Sequence, residues 1–136
     1  MIIKLINEFI FRNKDKGFND SIFQYIIERK LDSVELYKRA NLDRRTFSRL
    51  YNENYKPSKN TALCLCIALK LDYDETNFML KKLGYSLSNS YVYDLIISYF
   101  IKNKIFDIGE INDYLELNGY QILGAKAREK IKVWEV

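Results

Sequence analysis

The chain contains no histidine, a single proline, two cysteines and no apolar run long enough to span a bilayer, about 18 residues. Each absence narrows what it can do. Without histidine it lacks the commonest general base near neutral pH and the usual zinc ligand. A serine or cysteine nucleophile would then depend on lysine or a carboxylate for activation. Cys64 and Cys66 lie one residue apart. On a helix they point to different faces, so they read as buried small hydrophobes rather than metal ligands or a disulfide. No glycine-rich phosphate loop, repeat or low-complexity segment is present. Met1–Ile10 is apolar but interrupted by Lys4, Asn7 and Glu8, and no small-residue cleavage site follows, so it does not read as a signal peptide. The expectation is a cytoplasmic protein with no membrane partner, metal or cofactor.

The carboxylates do not assemble a catalytic set either. Asp72, Asp74 and Glu75 fall in the first turn of an expected helix, where negative charge is stabilising in itself. Asp113 and Glu116 share a helix face and read as solvated surface. The inventory of an active site is missing, and a binding protein rather than an enzyme is expected.

What is present suits one domain. The 136 residues can enclose a core, and 48% apolar with 29% charged residues is an ordinary globular balance. The net charge of +4 is unevenly placed. Residues 33–60 carry Lys38, Arg39, Arg44, Arg45, Arg49, Lys56 and Lys59 against Glu35, Asp43 and Glu53. Residues 90–123 carry Asp94, Asp107, Glu110, Asp113 and Glu116 against Lys102 and Lys104. A positive excess gathered on one segment is what attraction to phosphate requires.

That segment, Asp32–Asn60, reads as two short helices joined by a tight turn. Asp32 caps the first, Val34–Ala40, with Glu35 placed for a capping box. Asn41 tolerates the left-handed conformation a turn needs. Asp43 caps the second helix, Arg44 to about Asn52. Leu36, Ala40, Leu42, Phe47 and Leu50 supply the shared apolar face. Pro57 forbids continuation of the second helix.

The pattern resembles the helix-turn-helix of lambda-repressor-like (XRE-type) DNA-binding domains, whose second helix enters the major groove. The resemblance puts base-reading residues at Arg44, Arg45 and Arg49. It adds Ser48 on the same helix and Asn52 one turn on. Arginine suits the role because it contacts guanine O6 and N7 in a bidentate manner. Lys56 and Lys59 flank Pro57 for phosphates, and Ser33 takes the place of a phosphate-gripping glutamine. Tyr37 stands where the family usually has alanine, and Asn41 where it usually has the turn glycine.

The remaining elements fit an all-α fold. Met1–Arg12 is an amphipathic helix and Asn13–Asn19 a loop. A helix capped by Asp20 or Ser21 turns Ile22, Tyr25, Ile26 and Ile27 inward and ends near Lys30. Ser58 caps a helix to Leu71. Asp72 and Glu75 form a capping box on a helix through Phe78, Met79 and Leu83, stopped by Gly84. This makes a five-helix lambda-repressor-like core over residues 20–84, with an N-terminal helix and loop at 1–19. Two additional helices follow at 85–119, the first bearing an apolar stripe of Tyr91, Val92, Leu95, Ile96, Tyr99 and Phe100. The second is capped by Asp107 with Glu110 and ended by Gly119. Residues 120–136 form a tail, in which Lys130–Val136 is a short strand or an extended end.

The resemblance implies a sequence-specific DNA-binding regulator, a repressor, whose partner is double-stranded DNA. The two additional helices either thicken the core or form a homodimer through Tyr91, Leu95 and Tyr99. The alternative is a helix-turn-helix adaptor or antitoxin-like partner that meets another protein without reading DNA. Richness in Ile, Asn, Lys and Tyr suggests an AT-rich bacterial or phage genome.

Overall fold

The computed structural model describes residues 1–125. Its elements are α1 (Ile2–Asn13), α2 (Phe18–Arg29), α3 (Ser33–Arg39), α4 (Arg44–Ser48), a 3-10 turn over Arg49–Tyr51, α5 (Lys59–Ala68), α6 (Tyr73–Lys81), α7 (Val92–Lys102) and α8 (Ile108–Leu117). The described residues are all-helical apart from turns and connections. The expected strand or tail at Lys130–Val136 lies outside them.

Local chemistry starts and stops these helices. Asp32, Asp43, Ser58, Asp72 and Asp107 each accept a hydrogen bond from a first-turn backbone N–H. The reciprocal capping box is complete at Asp72 and Glu75. Asn41 sits at φ 56°, and Gly84 and Gly119 at 79° and 76°, the left-handed stops expected of them. α5 is buried along its whole length from Ala62 to Ala68, including both cysteines, and forms the axle of the fold. Burial raises both thiols, Cys66 to about 12, so neither is a thiolate near neutral pH. One apolar cluster extends from Phe18 through Leu36, Leu50, Leu65, Leu80 and Ile97 to Leu123.

Several boundaries and faces differ from expectation. α2 starts at Phe18, not near Ser21, because Phe18 and Asn19 are themselves buried. Its inward row is therefore Phe18, Ile22 and Ile26, four residues apart, which turns Ile27 out to 75% exposure. Phe78 of α6 also faces outward. α7 buries Asp94, Ile97, Ser98 and Ile101. The broader stripe of Tyr91, Val92, Leu95 and Tyr99 is exposed, leaving Ile96 and Phe100 at its border. The inward face of α7 carries a carboxylate and a hydroxyl, which hides it from any reading based on apolar residues.

α1 forms as the amphipathic helix the sequence predicts, and none of its residues is buried. Its apolar side chains lie open to solvent within the single chain.

Candidate nucleic-acid interface

The site is built on the α3–turn–α4 unit. Leu36, Ala40, Leu42, Phe47 and Leu50 are all buried, so the two helices share one core as their spacing predicts. Tyr37 does not splay them. Its ring packs on Phe47 with centroids 5.5 Å apart, and Phe47 meets Phe23 edge-on at 6.1 Å. An aromatic cluster fills the crossing that the family usually closes with alanine.

α4 begins with Thr46 N–H donating to Asp43 Oδ1 at 2.7 Å. That amide, with the Arg45 and Arg49 charges adding to it, holds the Asp43 carboxyl below its ordinary range. A depressed carboxylate contributes its stability in full above its unfolded pKa, near 4, and loses it only as pH falls through the lower folded value. The cap is therefore intact throughout the neutral range.

The α-helix is shorter than expected. It ends at Ser48 and tightens into the 3-10 turn, with Asn52 extended at its end. Arg44, Arg45, Ser48, Arg49 and Asn52 are exposed, and Ser33 is half-buried at the start of α3. Among the described residues the one ion pair within 4 Å is Lys59–Asp94, so Asp43 and Glu53 do not tie down the three arginines.

The following loop is anchored from two sides. Asn19 donates to the carbonyls of Tyr55 and Asn52 at 3.0 and 3.3 Å. Tyr85 donates to Pro57 O at 3.0 Å, and Lys56 Nζ lies 5.1 Å from the Tyr85 ring centroid. Lys56 is thus exposed on a held loop. Neither anchor is legible in the sequence, where Asn19 ends the expected loop Asn13–Asn19.

Lys59 requires a correction. It was expected on phosphate, but its ammonium lies 2.8–2.9 Å from both oxygens of Asp94, whose side chain is 4% exposed. Asp94 also accepts from Ser88 N–H at 2.8 Å. Lys59 therefore ties α5 to α7. Arg39 is also structural, donating to Ala68 O at 2.7 Å, and Arg29 to Leu69 O at 2.5 Å. These cations neutralise the carbonyl end of α5.

The turn itself is clasped. Asn41 Nδ2 donates to Leu123 O at 2.9 Å, and Ala125 N–H donates to Asn41 O at 2.8 Å. Asn112 of α8 takes Leu123 N–H at 2.7 Å and returns a bond to Leu123 O at 2.9 Å. Asn60 donates to Ile122 O and accepts from Gly124 N–H. Three asparagines thus bind residues 122–125 between the turn, α5 and α8. A turn glycine in place of Asn41 would offer no side chain for this.

The clasp predicts a sensitive glycine. Gly124 sits at φ 85°, and a Cβ there would collide with the Asn41 carbonyl oxygen. Gly124→Ala is expected to cost about 1–3 kcal/mol in chemical unfolding, from left-handed strain and that clash. Faster exchange of the Ala125 amide should accompany it, and an unchanged Ala125 amide would mean the clasp does not form in solution.

A buried helix pair joined by an αL turn, with an exposed arginine-bearing second helix, defines a helix-turn-helix DNA-binding domain. Residues 22–75 match the family model of the Cro/C1-type HTH DNA-binding domain, so this segment is a lambda-repressor-like domain. The match runs from the first turns of α2 to the first turns of α6, leaving α1, α7 and α8 outside it. No curated protein and no solved structure matches the chain. Among the described residues no helix is long and apolar enough to cross a membrane.

Proposed function

We propose that this DNA-binding protein is a sequence-specific transcriptional repressor of bacterial or phage type. In this reading Arg44–Asn52 lies in the major groove, Arg44, Arg45 and Arg49 meet base edges, and Ser33, Ser48, Asn52 and Lys56 position the backbone. The observation that carries it is the exposure of the three arginines on a rigidly capped α4, free of ion pairs among the described residues. Lys59 is left out of the interface.

A mobility shift with the DNA flanking the gene, at two salt concentrations, tests the reading. Binding that does not prefer that DNA over unrelated duplex would sink it. Lys56→Ala should lower the slope of log affinity against log salt by about one, for all sequences alike. An unchanged slope removes Lys56 from the phosphates.

The repressor reading includes a homodimer, since two half-sites call for two reading helices. The exposed face of Tyr91, Leu95 and Tyr99 supports placing the dimer contact on α7. Leu95→Asp or Tyr99→Asp should shift sedimentation from dimer to monomer without loss of helix content. A chain that is monomeric at micromolar concentration, with and without DNA, would refute it. The adaptor alternative uses the same apolar face but gives the arginines no task.

A further inference from the structure

We infer that residues 122–125 are a strut that aims the recognition helix, and that Asn112 of α8 is the positioning residue that holds it. This rests on the DNA-binding reading above. It adds a determinant that lies outside the matched segment 22–75.

α4 by itself is weakly oriented. It is five residues long and buries one of them, Phe47. One buried side chain fixes where a helix sits but leaves its tilt to the backbone leading in and out. The way out is held by Asn19, on the carbonyls of Asn52 and Tyr55. The way in is the peptide after Asn41, a left-handed residue at φ 56°. Ala125 N–H bonds the carbonyl of that peptide at 2.8 Å and so fixes its plane.

Ala125 is in reach because its segment is held in turn. Leu123 is fully buried. Its carbonyl accepts two side-chain amides, Asn41 Nδ2 from the turn and Asn112 Nδ2 from α8, each at 2.9 Å. Its N–H donates to Asn112 Oδ1 at 2.7 Å. One carbonyl therefore joins the turn of the DNA-binding unit to α8. Asn112 pairs with both backbone polar groups of Leu123, and this sets the register in which Ala125 meets Asn41. Asn60 secures the Ile122 carbonyl and the Gly124 N–H on either side. Such a segment is stiff, because a shift would leave buried polar groups unpaired.

Leverage makes the strut matter to base reading. Arg45 lies four residues beyond Asn41. At about 1.5 Å per residue plus an extended side chain, its guanidinium is on the order of 10 Å from the turn. A tilt of about 10° moves it by roughly 2 Å, more than a bidentate base contact tolerates. Contacts to phosphate carry no such sequence-reading geometry.

Asn112→Ala and Asn41→Gly open the strut from its two sides, and glycine keeps the left-handed turn. Each should lose about two- to thirtyfold in affinity for the DNA flanking the gene, with little change at unrelated duplex. In folded Asn112→Ala the amide resonances of Arg44, Arg45 and Thr46 should shift. Combined with Arg45→Ala, Asn112→Ala should cost less than it does alone, because the side chain it misaims is gone. A merely structural clasp would lower the unfolding midpoint yet leave specific affinity and the α4 amides of the folded protein as they were, and that result overturns the inference. Equal losses on the two duplexes overturn it too. If Asn112→Ala does not fold, Asn41→Gly leaves α8 intact and carries the affinity and additivity measurements. A wild type without preference for its own DNA sinks the repressor reading instead. Shifted α4 amides would then still support the strut, and unshifted ones would remove it.

Discussion

Lys59→Ala is expected to destabilise the protein by about 3 kcal/mol, because it leaves the Asp94 carboxylate buried without its cation. For a chain of this length that is a fall in melting temperature of roughly 10 °C. The figure sits at the lower end for a broken buried pair, since the Lys59 side chain is 32% exposed while that of Asp94 is 4% exposed. Asp94→Ala should cost a similar amount, losing the Ser88 N–H acceptor as well. The double replacement Lys59→Met with Asp94→Leu should recover much of the loss, as apolar isosteres of buried pairs often do. If Lys59→Ala instead leaves stability unchanged and lowers only the salt dependence of DNA binding, the pair is not formed in solution and Lys59 belongs with Lys56. Thermal unfolding of the two lysine variants side by side decides this.

Arg45→Ala is expected to leave folding within about 0.5 kcal/mol and to cost about 1–3 kcal/mol of binding at a guanine-containing site. That is a loss of roughly five- to 150-fold in affinity. At unrelated DNA the loss should be smaller, because only a charge near phosphate is removed there. The argument rests on position. Arg45 lies in the first turn of α4, after the Asp43 cap, and the first turn of a recognition helix lies closest to the bases. Anisotropy titrations of wild type and variant on specific and unrelated duplexes measure both numbers. Equal losses on the two duplexes would make Arg45 a phosphate contact. No loss on either would favour the adaptor.

The helix-turn-helix was legible because its signals are local. Asp32, Asp43 and Ser58 cap helices by bonding amides two or three residues away, and Asn41 takes a left-handed turn through its own φ. The spacing of Leu36, Ala40, Leu42, Phe47 and Leu50 records which sides face inward, and all five are buried. The exposure of Arg44, Arg45 and Arg49 follows from the same periodicity. α2 begins earlier than its local signal predicts because Asn19, a polar residue, is buried to hold the loop after the 3-10 turn.

Lys56 and Lys59 illustrate the limit. The two are equally basic and stand three residues apart around Ser58, so nothing in the sequence separates them. One is exposed beside the Tyr85 ring and the other is bound by a carboxylate thirty-five residues away. The same holds for α7, where the apolar stripe suggested one face and burial chose another. Asp94 and Ser98 face inward because Lys59 satisfies the first, and the second donates to the Asp94 carbonyl at 2.7 Å.

The sequence by itself determined the all-helical class, the side-chain caps and left-handed stops, and the DNA-binding unit, because caps, turns and hydrophobic period act within a few residues. Tertiary structure alone decided which lysine stays free, that the turn is clasped by Asn60, Asn112 and residues 122–125, and that α1 and the outer face of α7 are left uncovered. Those outcomes depend on groups brought together from distant parts of the chain, where a polar side chain is buried only if its partner arrives with it.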